Sequence, residues 1–395
     1  MSFDENSFLQ GIGVGLAISR KKMDRPYIYF ESPQSFTLNT YLNTKNWNGT
    51  LEYSTDALNW TTWDGTTVLS SGAKNRLYLR GTGNTIICYY YSAVHGNMPD
   101  LARWVLTGTD ISAYGNIENL LDWRIASRGG HPTMRYDCFS YLFSGCTSLI
   151  KAPTLPSPVA PGDCYSYMFQ NCTGLIEAPE LPATTLGSYC YASMFSGCTA
   201  LTKAPSKIEA SMVYHYACQW MFAGCTSLTT PPILLADTIL AGGYNGMFGG
   251  CIALETAPAL PAKAVYDDGY RSMFYGCTSL TTPPALPATT LGAYCYAYMF
   301  SGCTNLIFLP ELPAMVLATY CYNRMFEDCK KIKIYKTEGE DHTIPYRVPS
   351  SGTGTSAFQA LLAMFMSTGG SNIGGNGTIS INTTYYTSNN IIPAT

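Results

Sequence analysis

A unit of 26 residues recurs eight times in this 395-residue chain, and no other feature limits the fold as strongly. It centres on Met-Phe-x-Gly-Cys-Thr-x-Leu, seen as MFSGCTAL, MFAGCTSL, MFYGCTSL and MFSGCTNL. The anchor phenylalanines are Phe143, Phe169, Phe195, Phe222, Phe248, Phe274, Phe300 and Phe326, with one step of 27 among steps of 26. A fixed period of this length means a solenoid, in which each unit stacks only on its neighbours. Such a fold builds an extended surface rather than a deep catalytic pocket.

Positions are counted from the anchor Phe. Position +2 holds Gly145, Asn171, Gly197, Gly224, Gly250, Gly276, Gly302 and Asp328, residue types that tolerate a left-handed backbone. That predicts a short helix through Cys-Tyr-x-x-Met-Phe, ended by a left-handed cap. Position +6 holds Leu149, Leu175, Leu201, Leu228, Leu254, Leu280, Leu306 and Ile332, a core ladder. Proline at +10, from Pro153 to Pro310, ends an expected short strand. LPATTLG, at 181–187 and 286–292, reads as a second turn. Strands stacked about 4.8 Å apart would make a sheet roughly 35–40 Å long over the eight rungs. One unit cannot bury its own Phe, Leu and Cys. Stacking hides both faces, at about 2 kcal/mol for each buried Phe or Leu.

Of 15 cysteines, eight fall at +3, from Cys146 to Cys329. Five more, Cys138, Cys164, Cys190, Cys295 and Cys321, fall at −5. Across the expected helix the two columns lie about 12 Å apart, beyond disulfide reach. The −5 column lapses at Gly243 and Gly269 while +3 persists, so strict pairing by unit fails. There is no CxxC and there are only four histidines, so free buried thiols are favoured over disulfides and over metal. No cofactor and no metal ligand set is expected.

Charged residues are 12% of the chain and net charge is −3, which argues against nucleic acid, a partner that demands basic stripes. No run of about 20 apolar residues exists, so no membrane insertion is expected. The opening MSFDENSFLQGIGVGLAISRKKM is acidic before its apolar stretch and basic after it, the reverse of a secretory signal. That order predicts a chain not exported by the general secretory route, with a short N-terminal helix.

The Phe, Cys and Leu at 0, +3 and +6 resemble the BspA-like leucine-rich repeats, built around F-x-x-C-x-x-L. The match covers about 138–334, with Ile332 replacing Leu in the eighth unit. The resemblance implies an α/β repeat solenoid, leucine-rich-repeat-like, of eight units of about 26 residues, with a binding or adhesive role. Members occur on bacterial surfaces, in protists and in virion proteins of phages of gut bacteria. LPATTLG departs from the adhesin and protist members. The opening SFLQGIGVG is similar to the start of phage structural proteins carrying this repeat.

Residues 26–98 read as a small all-β sandwich-like domain: YIYFES, SFTLNTYL, TLEYSTD, WTTWDG, RLYLRG and TIICYYY are short runs separated by turn residues. Trp60 and Trp63 are candidates for core or for sugar stacking. Residues 1–25 read as a docking segment. Residues 99–135 read as the N-terminal solenoid cap, with a helix around 117–123. Residues 136–335 are the solenoid and 336–395 the C-terminal cap, in which Met364 and Phe365 form a degenerate last unit.

No catalytic site is visible. Asp and Glu are scattered, with clusters at Asp267-Asp268 and from Glu338 to Asp341; the adjacent pair is a pattern that is more often solvated charge than acid and base. Binding is better supported. Position −4 carries Tyr165, Tyr191, Tyr244, Tyr270, Tyr296 and Tyr322, and position −2 carries Tyr141, Tyr167, Trp220 and Tyr298. Two residues apart on a helix point about 200° from each other, so one column packs and the other is free for contact. The six −4 tyrosines and Trp220 are the candidate binding residues. The expectation is a non-enzymatic virion protein: a tail or head fibre, adaptor or decoration component. Its N-terminal region would meet other virion proteins, and its repeats a host-surface glycan or protein. A bacterial surface adhesin and a glycan-degrading tailspike are the alternatives. The virion, assembled in the host cytoplasm, is the expected location, with the bacterial cell surface as alternative; self-association stays open.

Overall fold

The alternation in YIYFE and RLYLR sends Ile28, Phe30, Leu77 and Leu79 to one face of a sheet and Tyr29, Glu31, Arg76 and Arg80 to the other. The structure, a computed structural model, describes residues 25–88, 103–314, 316–332, 359–360 and 363–367, and two short paired strands, Ile373–Gly374 and Thr378–Ile379. The docking segment read in 1–25 lies outside them except for Arg25, as does most of the C-terminal cap read in 336–395.

The first strands are β1 (Ile28–Glu31), β2 (Thr37–Thr40), β3 (Thr50–Ser54), β4 (Thr61–Thr62), β5 (Leu69–Ser70) and β6 (Arg76–Thr82). They are followed by β7 (Trp104–Thr107), β8 (Ile111–Tyr114), the helix α1 (Asn119–Ala126) and β9 (Leu149–Lys151). One sheet runs β4-β3-β6-β1-β8-β9 and the other β5-β2-β7. Trp47, Trp63 and Trp104 pack between them, with Trp63 5.0 Å from Trp47 and 5.5 Å from Trp104. Of the WTTW pair, Trp63 is therefore core, and Trp60 stays near the surface beneath Arg80, 4.0 Å from its ring. The helix α1 lies on β6, where any side chain at Gly81 would collide with the Leu120 carbonyl.

The sandwich runs into the solenoid without a break. β8 pairs in parallel with β9, which belongs to the first repeat, and both β7 and β8 lie in the segment read as cap. TIICYYY forms no strand over its described residues, 85–88. Instead the Ile87 and Trp104 N–H groups donate to the Cys138 and Leu142 carbonyls, each at 2.8 Å, as a preceding rung would. Phe30 and Trp104 meet Phe143 edge-on and end the phenylalanine stack.

The expected helix in each unit is absent. In its place is a chain of tight turns with a left-handed residue every fourth position: Asp137, Tyr141 and Gly145 in the first unit, at φ of 59°, 59° and 76°. Alternate N–H groups go to different places. Those of Ser140, Leu142, Ser144 and Cys146 donate three residues back, to Asp137, Phe139, Tyr141 and Phe143 (2.9 to 3.2 Å). Those of Phe139, Tyr141, Phe143 and Gly145 donate to Cys164, Ser166, Met168 and Gln170 of the next unit (2.7 to 3.0 Å). Half the donors close the turns and half tie the rungs together, so no polar backbone group on this side is wasted. A helix would have spent all of them within one unit.

LPATTLG, read as a turn, carries a strand. Thr185–Leu186 pairs in parallel with Val159–Ala160, and Met212–Val213, Thr238–Ile239, Ala264–Val265 and Thr290–Leu291 form a four-stranded parallel sheet. The leucine side is thinner than expected: past β9, rungs meet there through single bridges such as Glu177 to Lys203 and Thr256 to Thr282. The fold is thus a parallel solenoid of about 26-residue repeats with little helix, preceded by a β-sandwich. The leucine ladder is fully buried from Leu149 to Ile332. Phenylalanine rings stack from Phe143 through Phe326 to Phe365, with centroids 5.4 to 5.7 Å apart. Phe365 therefore supplies a ninth rung, although 39 residues rather than 26 separate it from Phe326 (365 minus 326).

Candidate functional site on the turn edge of the solenoid

The four-residue step decides which side chains face out. Positions −5, −1 and +3 face inward together, as do −4 and 0. The left-handed positions −6, −2 and +2 face outward. This overturns the candidate column: Tyr165, Tyr191, Tyr244, Tyr270, Tyr296 and Tyr322 are no more than 2% exposed. They form an inner stack beside the phenylalanines, for example Tyr296 on Tyr322 at 5.6 Å. Their burial pushes the phenol pKa values up. The hydroxyls of Tyr244, Tyr270 and Tyr296 have no hydrogen-bond partner in the protein. Only Trp220 among the seven candidates stands on the surface, 36% exposed.

The outward stripe is aromatic at other positions. At −2, Tyr141 stacks on Tyr167 (4.5 Å). At −6, a column that sequence reasoning missed, Tyr189 stacks on Tyr216 (5.0 Å) and Tyr294 on Tyr320 (4.8 Å). Each of these rings hangs from a residue with φ between 54° and 59°. Trp220 and Tyr216 lie flat over the next rung, where side chains on Gly246 and Gly242 would collide with them. That rung reads AGGYNGMFGG, with glycine at all three left-handed positions, Gly242, Gly246 and Gly250. Arg271 and Arg324 border the far end, 5.4 Å from Tyr294 and 5.9 Å from Tyr298.

Carboxylates border the near end of the −6 column. Burial, reinforced by neighbouring Asp163, pushes Asp137 up to about 6. Burial likewise raises Asp163, which accepts a hydrogen bond from Tyr136. Asp267 accepts the Ala293 backbone N–H (2.7 Å), and Asp268 pairs with the Arg271 side chain (3.0 Å). His131 contacts the buried Glu118 at 2.9 Å. Among the described residues no group of three metal-ligating side chains occurs, and no helix is long and apolar enough to cross a membrane.

Every cysteine is buried and free. The +3 thiols make a second ladder. Cys172, Cys198, Cys225, Cys251, Cys277, Cys303 and Cys329 each donate to the anchor Phe carbonyl of the preceding rung, at 3.0 to 3.1 Å. Cys146 donates to Trp104, which stands in for that Phe (3.3 Å).

These features define a leucine-rich-repeat-like solenoid carrying an exposed aromatic edge. No protein-family model and no curated protein matches the chain. A leucine-rich repeat protein from Bacteroides ovatus ATCC 8483, solved as a crystal structure, is similar over 64% of this chain and 82% of its own length. The identity is 14% and the TM-score 0.18, a likeness too slight to carry any argument about function.

Proposed function

We propose that the chain is a non-enzymatic recognition protein, a virion component of fibre, adaptor or decoration type, whose turn edge contacts a host-surface glycan or protein. One observation supports this above the rest: bulky aromatic residues occupy left-handed backbone positions where glycine is at ease. Tyr141, Tyr167, Tyr189, Tyr216, Trp220, Tyr294, Tyr298 and Tyr320 all sit at positive φ. Each such residue costs about 1–2 kcal/mol relative to glycine. Glycine occupies the equivalent places at Gly242 and Gly246, so the geometry itself does not demand rings. Tyr189 and Trp220 are exposed and the other six half-buried, and strain retained at such surface positions points to use of the side chains. Flat rings at a surface suit sugar faces and protein partners alike.

The test has two arms. Mass spectrometry of purified virions from the source bacterium should find this polypeptide; its detection only in bacterial envelopes would favour the adhesin reading. The labelled protein should bind host cells, and Trp220→Ala with Tyr216→Ala should abolish binding while leaving the circular dichroism spectrum unchanged. Undiminished binding by that double variant would remove the turn edge from the proposal.

A further inference from the structure

The outward rings of the turn edge fall in a line along the rod. Counting rungs from Phe143, the stacked pairs Tyr141–Tyr167, Tyr189–Tyr216 and Tyr294–Tyr320 occupy rungs one and two, three and four, and seven and eight. Their centroids are 4.5, 5.0 and 4.8 Å apart, with planes within 13° of parallel. Trp220 adds a ring on the fourth rung and Tyr298 one on the seventh. The fifth and sixth rungs carry no ring at their left-handed positions, which hold Gly242, Gly246 and Gly250, then Asp268, Ser272 and Gly276. The rings therefore make separate platforms in single file, not one broad patch.

Charge on this edge is sparse and mostly neutralised. From position −6 to +2 the eight repeats hold two cations, Arg271 and Arg324. Each has a carboxylate partner, Asp268 at 3.0 Å and Glu327 at 2.9 Å. Asp328 pairs with Lys330 at 2.6 Å. Rungs three, four, five and seven have no charged residue in that span. An acidic ligand would meet no unpaired cation along it. A basic ligand would meet carboxylates without a cation partner among the described residues only on the first two rungs, at Asp137 and Asp163. Beside the rings, Gln170, Ser196 and Gln219 are partly exposed and offer uncharged hydrogen-bonding groups.

We infer that the partner of the turn edge is an uncharged linear polysaccharide, laid along the rod and touching the platforms in series. This rests on the turn edge being the contact surface, and names the class of ligand it takes. A folded protein partner needs about 800 Å2 of contiguous surface on each side, which platforms in single file do not offer. The step between stacked rings is close to the rise of one pyranose unit along an extended polysaccharide. An extended peptide rises about 3.3 Å per residue and falls out of step with it. The rings match the C–H faces of sugars, and the amide and hydroxyl groups match their hydroxyls. Tyr189 and Tyr320 stand five rungs apart, about 24 Å at strand spacing. A hexasaccharide spans that distance and a disaccharide does not, so contacts to two platforms add as avidity.

The experiment is calorimetric titration of the full chain with cello-, xylo-, manno- and chitohexaose and with the matching disaccharides. Hexagalacturonate serves as the acidic control. At least one neutral hexamer should bind, about a hundredfold or more tighter than its disaccharide. Its affinity should not change with salt, since no charge is neutralised. Tyr294→Ala with Tyr298→Ala removes the far platform and should weaken the hexamer about tenfold or more, with the circular dichroism spectrum unchanged. The inference is overturned if no neutral hexamer binds, if hexagalacturonate binds as tightly as the best of them, if hexamer and disaccharide bind alike, or if the far platform proves dispensable. Host-cell binding that still depends on Trp220 and Tyr216 would then leave the turn edge as the recognition surface and remove only the neutral polysaccharide as its ligand.

Discussion

The thiol at +3 shows how one atom fixes a residue's identity. Each anchor Phe carbonyl from Phe143 to Phe300 accepts two hydrogen bonds, for example Phe222 from the Cys225 N–H in its own rung (3.0 Å) and from the Cys251 thiol in the next (3.1 Å). Alanine would leave a void and an acceptor half used, so Cys251→Ala should cost about 1–2 kcal/mol, measurable by urea denaturation. Burial pushes Cys146, Cys198 and Cys277 up to about 12, from an ordinary value of about 8.5. These thiols stay protonated in the fold and ionise in the unfolded chain once the pH passes about 8.5. Above that pH the unfolded state binds fewer protons, so stability must fall as pH rises, and fall further up to about 12. Denaturation midpoints unchanged between neutral and strongly alkaline pH would contradict this. The buried hydroxyl of Tyr270 offers the opposite case: with no partner to lose, Tyr270→Phe should be neutral or stabilise by up to about 1 kcal/mol. The thiols were legible in the sequence as apolar core residues. Their donor role was not, because it depends on which carbonyl the next rung brings near.

Tyr at −4, Phe at 0 and Cys at +3 suit one face of a helix, and they suit a four-residue turn just as well. Hydrophobic period alone does not separate 3.6 from 4 over so short a stretch. The discriminating signal sat in one unit, where Gly242, Gly246 and Gly250 mark every left-handed position at spacing four. In the other units tyrosine, serine, tryptophan and aspartate occupy those positions and hide it. The same rung gives a sharp test. Gly246→Ala adds a side chain at φ 63° and drives it into the Trp220 ring. It should cost about 2 kcal/mol or more. Combining it with Trp220→Ala should recover part of that loss, leaving the backbone strain alone, and a double-mutant cycle reads the coupling. Additive effects would mean that the ring does not lie on the rung. The binding column was misplaced for the same reason: helical geometry opposes −4 and −2 but gives no rule for which is inside, whereas the turn puts every fourth residue out.

For the whole molecule, repeat number and leucine ladder were plain from spacing, and the order of sandwich then solenoid from composition. How the two join was hidden, since Ile87 and Trp104 carry no repeat motif and act through backbone groups. A solenoid of this kind is held by contacts between adjacent rungs. Excising residues 266–291, one 26-residue period that leaves Trp220 and Tyr216 over Gly246 and Gly242, should therefore leave a soluble, cooperatively unfolding protein with the same parallel stack. Aggregation of that deletion would show that the rungs are not interchangeable. Removing the sandwich should have the harsher outcome, since Phe143 and Cys146 would lose Phe30 and Trp104 and face water.

The alternating donors on the turn side also give the rod a direction. Every rung offers N–H groups toward its C-terminal neighbour and receives them from the N-terminal side, where Ile87 and Trp104 of the sandwich begin the series. Any second molecule extending this ladder must therefore join head to tail; two like ends brought together would set donor against donor or acceptor against acceptor.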